Sequence, residues 1–150
     1  MNTGLQDLAA KLRLDETDNH RLRLEFGLAC CDRIGHLLED AKVVECLATA
    51  RGFLSDECSA DELDAAAEQA SALARAHRGS ASIDASGHAA VSATHAVANA
   101  VSGRALEAAS YAAYAVVYAY GAYAVRDPAA FQEEFAWQTE TLRRLAAAQR

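Results

Sequence analysis

The sequence predicts an all-α protein, a compact bundle of six to seven helices around a central helix pair rich in alanine and tyrosine. The chain contains one proline and no stretch in which apolar and polar residues alternate with the period of a strand. Residues 87–125 consist almost wholly of Ala, Val, Tyr, Ser and His, and alanine is the best helix former. A chain of 150 residues is long enough for one domain, spanning 1–150, with its own core.

Four helices are predicted in the first half of the chain. Apolar residues at steps of three and four place them at about 5–12, 19–39, 40–54 and 59–78. Thr17 or Asp18 is expected to cap the second helix, and Asp40 the third. The fourth opens on Ser59-Ala60-Asp61-Glu62, a capping box in which the Ser and Glu side chains satisfy each other's free backbone amides.

Three helices are predicted in the second half, at about 84–102, 104–126 and 128–148. Gly103 separates the first two, and Asp127-Pro128 is a strong signal for the start of the last. Tyrosines follow one face of the middle helix at helical spacing, which favours a place in the core. The stretch 108–125 is uncharged, but it is mostly Ala and Tyr, whereas membrane insertion is driven by Leu, Ile, Phe and Val. A buried helix is therefore the favoured interpretation.

The formal charge is −7, and most of the excess acidity lies in the first half of the chain. An acidic surface repels phosphate backbones and anionic lipid, so neither nucleic acid nor a membrane is expected as a partner. A basic protein partner is compatible with this charge.

The cysteines indicate an intracellular protein, and the chain lacks recognisable catalytic motifs. The cysteines lack the C-x-x-C spacing of a zinc site and no secretory signal precedes them, so reduced, buried thiols in the cytoplasm are expected at Cys30, Cys31, Cys46 and Cys58. The chain has no nucleophile elbow and no phosphate-cradling glycine loop. We predict neither an enzyme nor a bound cofactor.

The densest acidic cluster is the first candidate site. No Lys or Arg stands between Gly52 and Ala74, and the cluster comprises Asp56, Glu57, Asp61, Glu62, Asp64 and Glu68. Such a surface would attract a cationic partner. The alternative is that these residues only stabilise the start of a helix and keep the surface soluble.

A polar stripe on the central helices is the second candidate. His88, His95 and Asn99 recur at helical spacing, and Tyr111 and Tyr114 stand on the helix that follows. Together they form a possible ligand pocket. The alternative, which we favour, is a structural network in which the His and Asn side chains satisfy buried tyrosine hydroxyls. No metal site is expected, because the Glu-x-x-His pairs of metal-binding bundles are absent.

Several blocks of the chain resemble a family of Ala-rich, all-α bacterial immunity proteins encoded beside polymorphic toxins. One block is His20-Arg21 followed by FGLACCDR at 26–33, a second is ECLATARGFL at 45–54, and a third runs from GHAA at 87–90 to the Tyr-Ala segment at 112–116. Trp137-Gln138 and Leu142 match the closing helix. Two positions depart from the family pattern, since Ala41-Lys42 stands in place of an Arg-Pro pair and Phe53 in place of a Trp.

The resemblance covers about residues 18–146 and implies a small cytoplasmic protein that binds and neutralises a cognate toxin. The leading hypothesis is thus an immunity protein that acts by occlusion, with the acidic cluster contacting a basic toxin. One alternative is a bundle that binds a small ligand or a metal through the His and Tyr side chains. Another is a structural bundle whose Ala-rich faces pair in a homodimer.

Overall fold

The computed structural model describes residues 1–77 and 86–149, and within them it contains seven α-helices and no strand. This confirms the all-α prediction. The helices are α1 (Thr3–Leu12), α2 (His20–Asp32), α3 (Ala41–Leu54), α4 (Ala60–Ala76), α5 (Ser86–Val101), α6 (Ala105–Tyr120) and α7 (Gln132–Ala148). Short 3-10 turns lie at Thr17–Asn19, Gly35–Leu37, Ala122–Arg126 and Pro128–Phe131.

The helix pair α5 and α6 is the centre of the bundle. The two helices make the most extensive contact in the described structure, and α5 also packs on α2, α3 and α4. Their buried sides are lined chiefly by alanines, which let the helix backbones approach closely. These residues include Ala93, Ala96, Ala100, Ala105, Ala108, Ala109 and Ala112.

A glycine in α2 allows a similarly close approach to α5. A Cβ atom added at Gly27 would lie 3.0 Å from the Cβ of Ala100 and 3.1 Å from its Cα. These distances are shorter than ordinary carbon contacts. The absent side chain at Gly27 therefore sets how near α2 lies to the central pair.

The predicted caps of α3 and α4 are confirmed, whereas Asp127 caps the 3-10 turn that precedes α7. The side chain of Asp40 accepts a hydrogen bond from the Lys42 N–H, and that of Asp127 accepts one from the Ala129 N–H. At α4, Ser59 and Glu62 form both bonds of the capping box. Each of these caps bonds only to residues that follow it closely in the sequence.

The predicted helix at 19–39 is too long at its C-terminal end. It ends at Asp32 because the backbone tightens to i→i+3 hydrogen bonds, seen from Ile34 N–H to the carbonyl of Cys31. Gly35 is a poorer helix former than the residues before it. Neither Thr17 nor Asp18 caps α2; both belong to a 3-10 turn.

The predicted helix at 104–126 is also too long. Gly121, at φ 147° and ψ 150°, ends α6 in a conformation that L-residues rarely adopt. A 3-10 turn follows in place of a continued helix. Another 3-10 turn, Pro128–Phe131, occupies the start of the helix expected at 128–148, and the predicted starts and ends between 78 and 85 lie outside the described residues.

The prediction of a tyrosine core is wrong. Tyr111 and Tyr114 are 39% and 41% exposed, and Tyr120 and Tyr123 are more exposed still. The reason is that α6 turns its alanines inward, where small side chains permit close helix packing, and the tyrosines are left on the outer side. The rings and hydroxyl groups of these tyrosines are therefore accessible at the surface.

Candidate functional site

One end of the bundle brings together four chain segments. Arg21 Nη2 donates to the carbonyl oxygen of Leu54 at 2.8 Å, which joins the start of α2 to the end of α3. The His20 ring lies edge-on to Phe53, with ring centroids 6.3 Å apart, and also approaches Gly103 in the α5–α6 turn. The loop that leads into α4 starts at the same end, directly after Leu54.

The six predicted carboxylates follow this point and are all exposed; we call them the acidic surface. They lie on the α3–α4 loop and the first half of α4, at Asp56, Glu57, Asp61, Glu62, Asp64 and Glu68. Asp56 has a left-handed backbone (φ 63°), and the amides of Glu57 and Cys58 donate to the carbonyl of Gly52 at 2.7 and 3.1 Å. These bonds fold the loop back on α3.

Part of this charge has a structural role. The Ser59 N–H donates to Glu62 Oε1 at 3.0 Å, and Asp61 and Glu62 both stand in the first turn of α4, where negative charge is favourable. In the described part of the chain, no ion pair includes any of the six carboxylates. No described ion pair therefore neutralises these carboxylates.

The second predicted group, here called the His/Tyr stripe, forms stacked ring pairs on α5 and α6. His95 stacks on Tyr111 with ring centroids 5.0 Å apart, and His88 stacks on Tyr118 at 5.2 Å. Tyr114 meets Phe131 edge-on at 5.1 Å. The rings are therefore packed against one another at the surface.

Asn99, the fifth residue of this prediction, has a different role. Its amide donates to the backbone carbonyl of His95 at 2.8 Å, and its Oδ1 accepts a hydrogen bond from Arg104 Nε, also at 2.8 Å. Asn99 thus connects the stripe to the α5–α6 turn.

Burial, with a smaller contribution from His77, lowers the pKa of His95, so the imidazole is neutral at neutral pH.

A cleft of about 630 Å³ opens at the α5–α6 turn, between α1, α2 and α6, and we call it the arginine cleft. Arg13, Arg23 and Arg104 line it, together with the carboxylates of Asp15 and Glu107. Sequence reasoning missed this site because its arginines are far apart in the chain and belong to no motif. Two smaller clefts lie elsewhere, one of about 330 Å³ with Tyr114 at its edge and one of about 410 Å³ beside Arg33.

Sequence reasoning also missed an ion pair with a buried carboxylate. Glu134 of α7 is 3% exposed and accepts hydrogen bonds from Arg33 Nε and Nη2, at 2.9 and 2.7 Å. The hydrogen bond to Glu134 raises the pKa of Arg33, and the guanidinium also lies 4.2 Å from the ring centroid of Trp137. The pair fastens α2 to α7.

Three of the four cysteines are buried, as predicted, and Cys58 is partly exposed. Burial raises the pKa of Cys31 to about 12 and that of Cys30 well above its usual value, so both thiols stay protonated.

Across 1–77 and 86–149, no three His, Cys, Asp or Glu side chains are grouped as metal ligands. Nor is any helix in these ranges long and apolar enough to cross a membrane.

Comparison with known proteins gives one family. The family model described as "Imm-5 like putative immunity protein" matches residues 13–145, a range that includes every helix from α2 to α6 and most of α7. No curated protein and no solved structure matches the chain.

Proposed function

Because the chain belongs to the "Imm-5 like putative immunity protein" family, we propose that it binds a cognate bacterial toxin and neutralises it by occlusion. The toxin is the product of a polymorphic toxin system, and the complex forms in the cytoplasm. Inhibition of this kind needs a complementary surface and no chemistry from the inhibitor. The proposal is supported most directly by the acidic surface, whose exposed carboxylates belong to no ion pair in the described structure.

The charge of the acidic surface favours a basic toxin domain. Complementary charges steer the approach of two proteins and suppress wrong partners, over a Debye length of roughly 8 Å at physiological salt. A domain that acts on nucleic acid carries the positive charge that this surface would attract. By covering that basic surface, the inhibitor would deny it to the toxin's own substrate.

The His/Tyr stripe is a second candidate contact. Tyrosine is enriched at the energetic centres of interfaces, and Tyr111 and Tyr114 are each about two-fifths exposed. Ring stacking of His88 and His95 favours a contact surface over the ligand pocket considered from the sequence. A His88→Ala and His95→Ala double variant should leave the affinity for the toxin unchanged if the acidic surface is the interface.

The first test is capture of the tagged protein with its partners from its native cells at moderate salt. A stoichiometric toxin domain should be recovered, and co-expression of the protein should restore the growth of cells that produce that domain. If the protein returns alone and gives no such protection, the proposal of an immunity function is wrong.

Charge reversal then tests the surface. Asp64→Lys with Glu68→Lys should weaken toxin binding at least tenfold, mostly through slower association, because like charges meet across the interface. The matched control is Asp7→Lys with Glu133→Lys, which makes the same charge change at exposed positions on α1 and α7. Equal affinities of the two double variants would remove the acidic surface as the interface and leave the immunity function standing.

A further inference from the structure

The arginine cleft gathers positive charge in a protein whose formal net charge is −7. Three of its lining side chains are arginines, and guanidinium groups suit the paired oxygens of phosphates and carboxylates. The proposed contact between the acidic surface and a basic toxin gives no role to the arginines of this cleft. The volume of about 630 Å³ lies in the range of small-molecule sites.

Two of the arginines are held in place by the protein. Arg23 Nη1 donates to the backbone carbonyls of Leu14 and Glu16, at 2.6 Å each. Arg104 Nε donates to Asn99 Oδ1 at 2.8 Å, and Asn99 is itself buried and bonded to α5. Each anchor uses one nitrogen of the guanidinium and leaves others for a ligand. Pre-orientation of this kind reduces the entropy lost on binding.

The third arginine occupies a costly backbone position. Arg13 ends α1 in the left-handed conformation, at φ 55° and ψ 47°, where glycine is the usual residue. Its side chain is 75% exposed, and its contact with Glu16 is long, at 3.7 Å. Neither the fold nor this weak ion pair requires an arginine at residue 13, so its guanidinium is available to the cleft.

The remaining lining residues define what the ligand would resemble. Asp15 and Glu107 would accept hydrogen bonds from donor groups, and they disfavour a ligand that is anionic throughout. Ala9, Ala10 and Leu106 supply apolar surface. The cleft therefore fits a molecule with one anionic group, a short carbon skeleton and hydroxyl or ammonium donors.

We propose that the arginine cleft is a binding site for a small organic anion, whose phosphate or carboxylate group is held by Arg13, Arg23 and Arg104. Donor groups elsewhere on the ligand contact Asp15 and Glu107. None of its lining residues belongs to the acidic surface or to the His/Tyr stripe.

The test is a titration of the ¹⁵N-labelled full-length protein, followed by the amide resonances of residues 14–15 and 103–107. The probes are glycerol 3-phosphate, inorganic phosphate and succinate. Glycerol 3-phosphate should give saturable shifts at these amides and bind more tightly than inorganic phosphate, which has no carbon skeleton or separate hydroxyl group. Tighter binding of succinate, which is anionic at both ends and has no hydroxyl or ammonium donor, would contradict the role given to Asp15 and Glu107.

Variants connect the shifts to the arginines. Arg13→Gly removes a guanidinium and relaxes the left-handed backbone, so the fold is retained while the affinity should fall at least about tenfold, the lower end of the loss for a hydrogen bond to a charged group. Arg104→Gln should have a similar effect, and Arg75→Gln on the exposed side of α4 is the matched control. Helicity by circular dichroism checks that each variant is folded.

Two results would overturn the site: shifts that do not saturate with any of the three probes, or affinities that are equal in Arg13→Gly, Arg104→Gln and Arg75→Gln. Because no toxin is present in the experiment, neither result bears on the proposed immunity function.

Discussion

The guanidinium of Arg33 and the carboxylate of Glu134 form parallel hydrogen bonds between α2 and α7, at 2.9 Å from Nε to Oε1 and 2.7 Å from Nη2 to Oε2. The carboxylate is buried, whereas the arginine side chain is 36% exposed. Removal of the arginine would therefore leave a buried carboxylate without a cation, whereas removal of the carboxylate would leave a guanidinium that is partly in contact with water.

Arg33→Met should lower the free energy of unfolding by about 2–3 kcal/mol, because it leaves the buried Glu134 carboxylate without its cation; the cost is below that of a fully buried pair since Arg33 is partly hydrated. Urea denaturation measures it. Adding Glu134→Leu should restore most of the loss. A double variant no more stable than Arg33→Met would show that the pair matters through its packing and not its charge.

Substitution of Gly27 should be costly and that of Gly35 harmless. A methyl group at Gly27 meets Ala100 at 3.0 Å, so Gly27→Ala should lose about 1 kcal/mol after the better helix propensity of alanine is counted. Gly35 has open space around it, and Gly35→Ala should be neutral or stabilising by up to about 1 kcal/mol. Thermal unfolding of the two variants is the comparison, and equal melting temperatures would contradict a close approach of α2 to α5.

His95 should make the protein less stable on mild acidification. Burial lowers its pKa in the folded state below the ordinary value of 6.5, so the unfolded chain binds the proton more readily. Its contribution is constant above pH 6.5 and becomes destabilising as the pH falls below that value. Melting temperatures between pH 7.5 and pH 5 should therefore fall less steeply for His95→Gln than for the unsubstituted protein. The control is His36→Gln, which removes an exposed histidine in the turn after α2.

The thiols should differ sharply in reactivity. Burial raises the pKa values of Cys30, Cys31 and Cys46, whereas Cys58 is partly exposed in the loop before α4. Brief treatment of the folded protein with iodoacetamide should give one adduct, located at Cys58 by peptide mass spectrometry. Cys58→Ser should abolish it. Early modification of Cys30 or Cys31 would mean that α2 opens readily.

The features predicted well from the sequence are those set by neighbouring residues. Asp40 and Ser59 cap α3 and α4 as expected, and Asp127 caps the 3-10 turn before α7, because a cap bonds to amides two or three residues away. Burial at α6 was predicted badly, since helical spacing fixes which residues share a face but not which face turns inward. In this bundle the alanine face of α6 is buried and Tyr111 and Tyr114 are not.

The candidate sites show the same division. The acidic surface could be located from the sequence because its carboxylates lie within thirteen consecutive residues, 56–68. The arginine cleft could not, because Arg13, Arg23 and Arg104 meet only when the α5–α6 turn reaches the α1–α2 connection. The Arg33–Glu134 pair is likewise separated by most of the chain.

The alanine packing at the centre of the bundle has a consequence for evolution. A larger side chain at Ala108 or Ala112 would push α6 away from its neighbours, so mutation is constrained at these interior positions. Asp64 and Glu68 carry no such constraint, because no described ion pair and no buried contact depends on them. Binding specificity could therefore drift through outward-facing residues, in step with a changing partner, while the scaffold beneath stays the same.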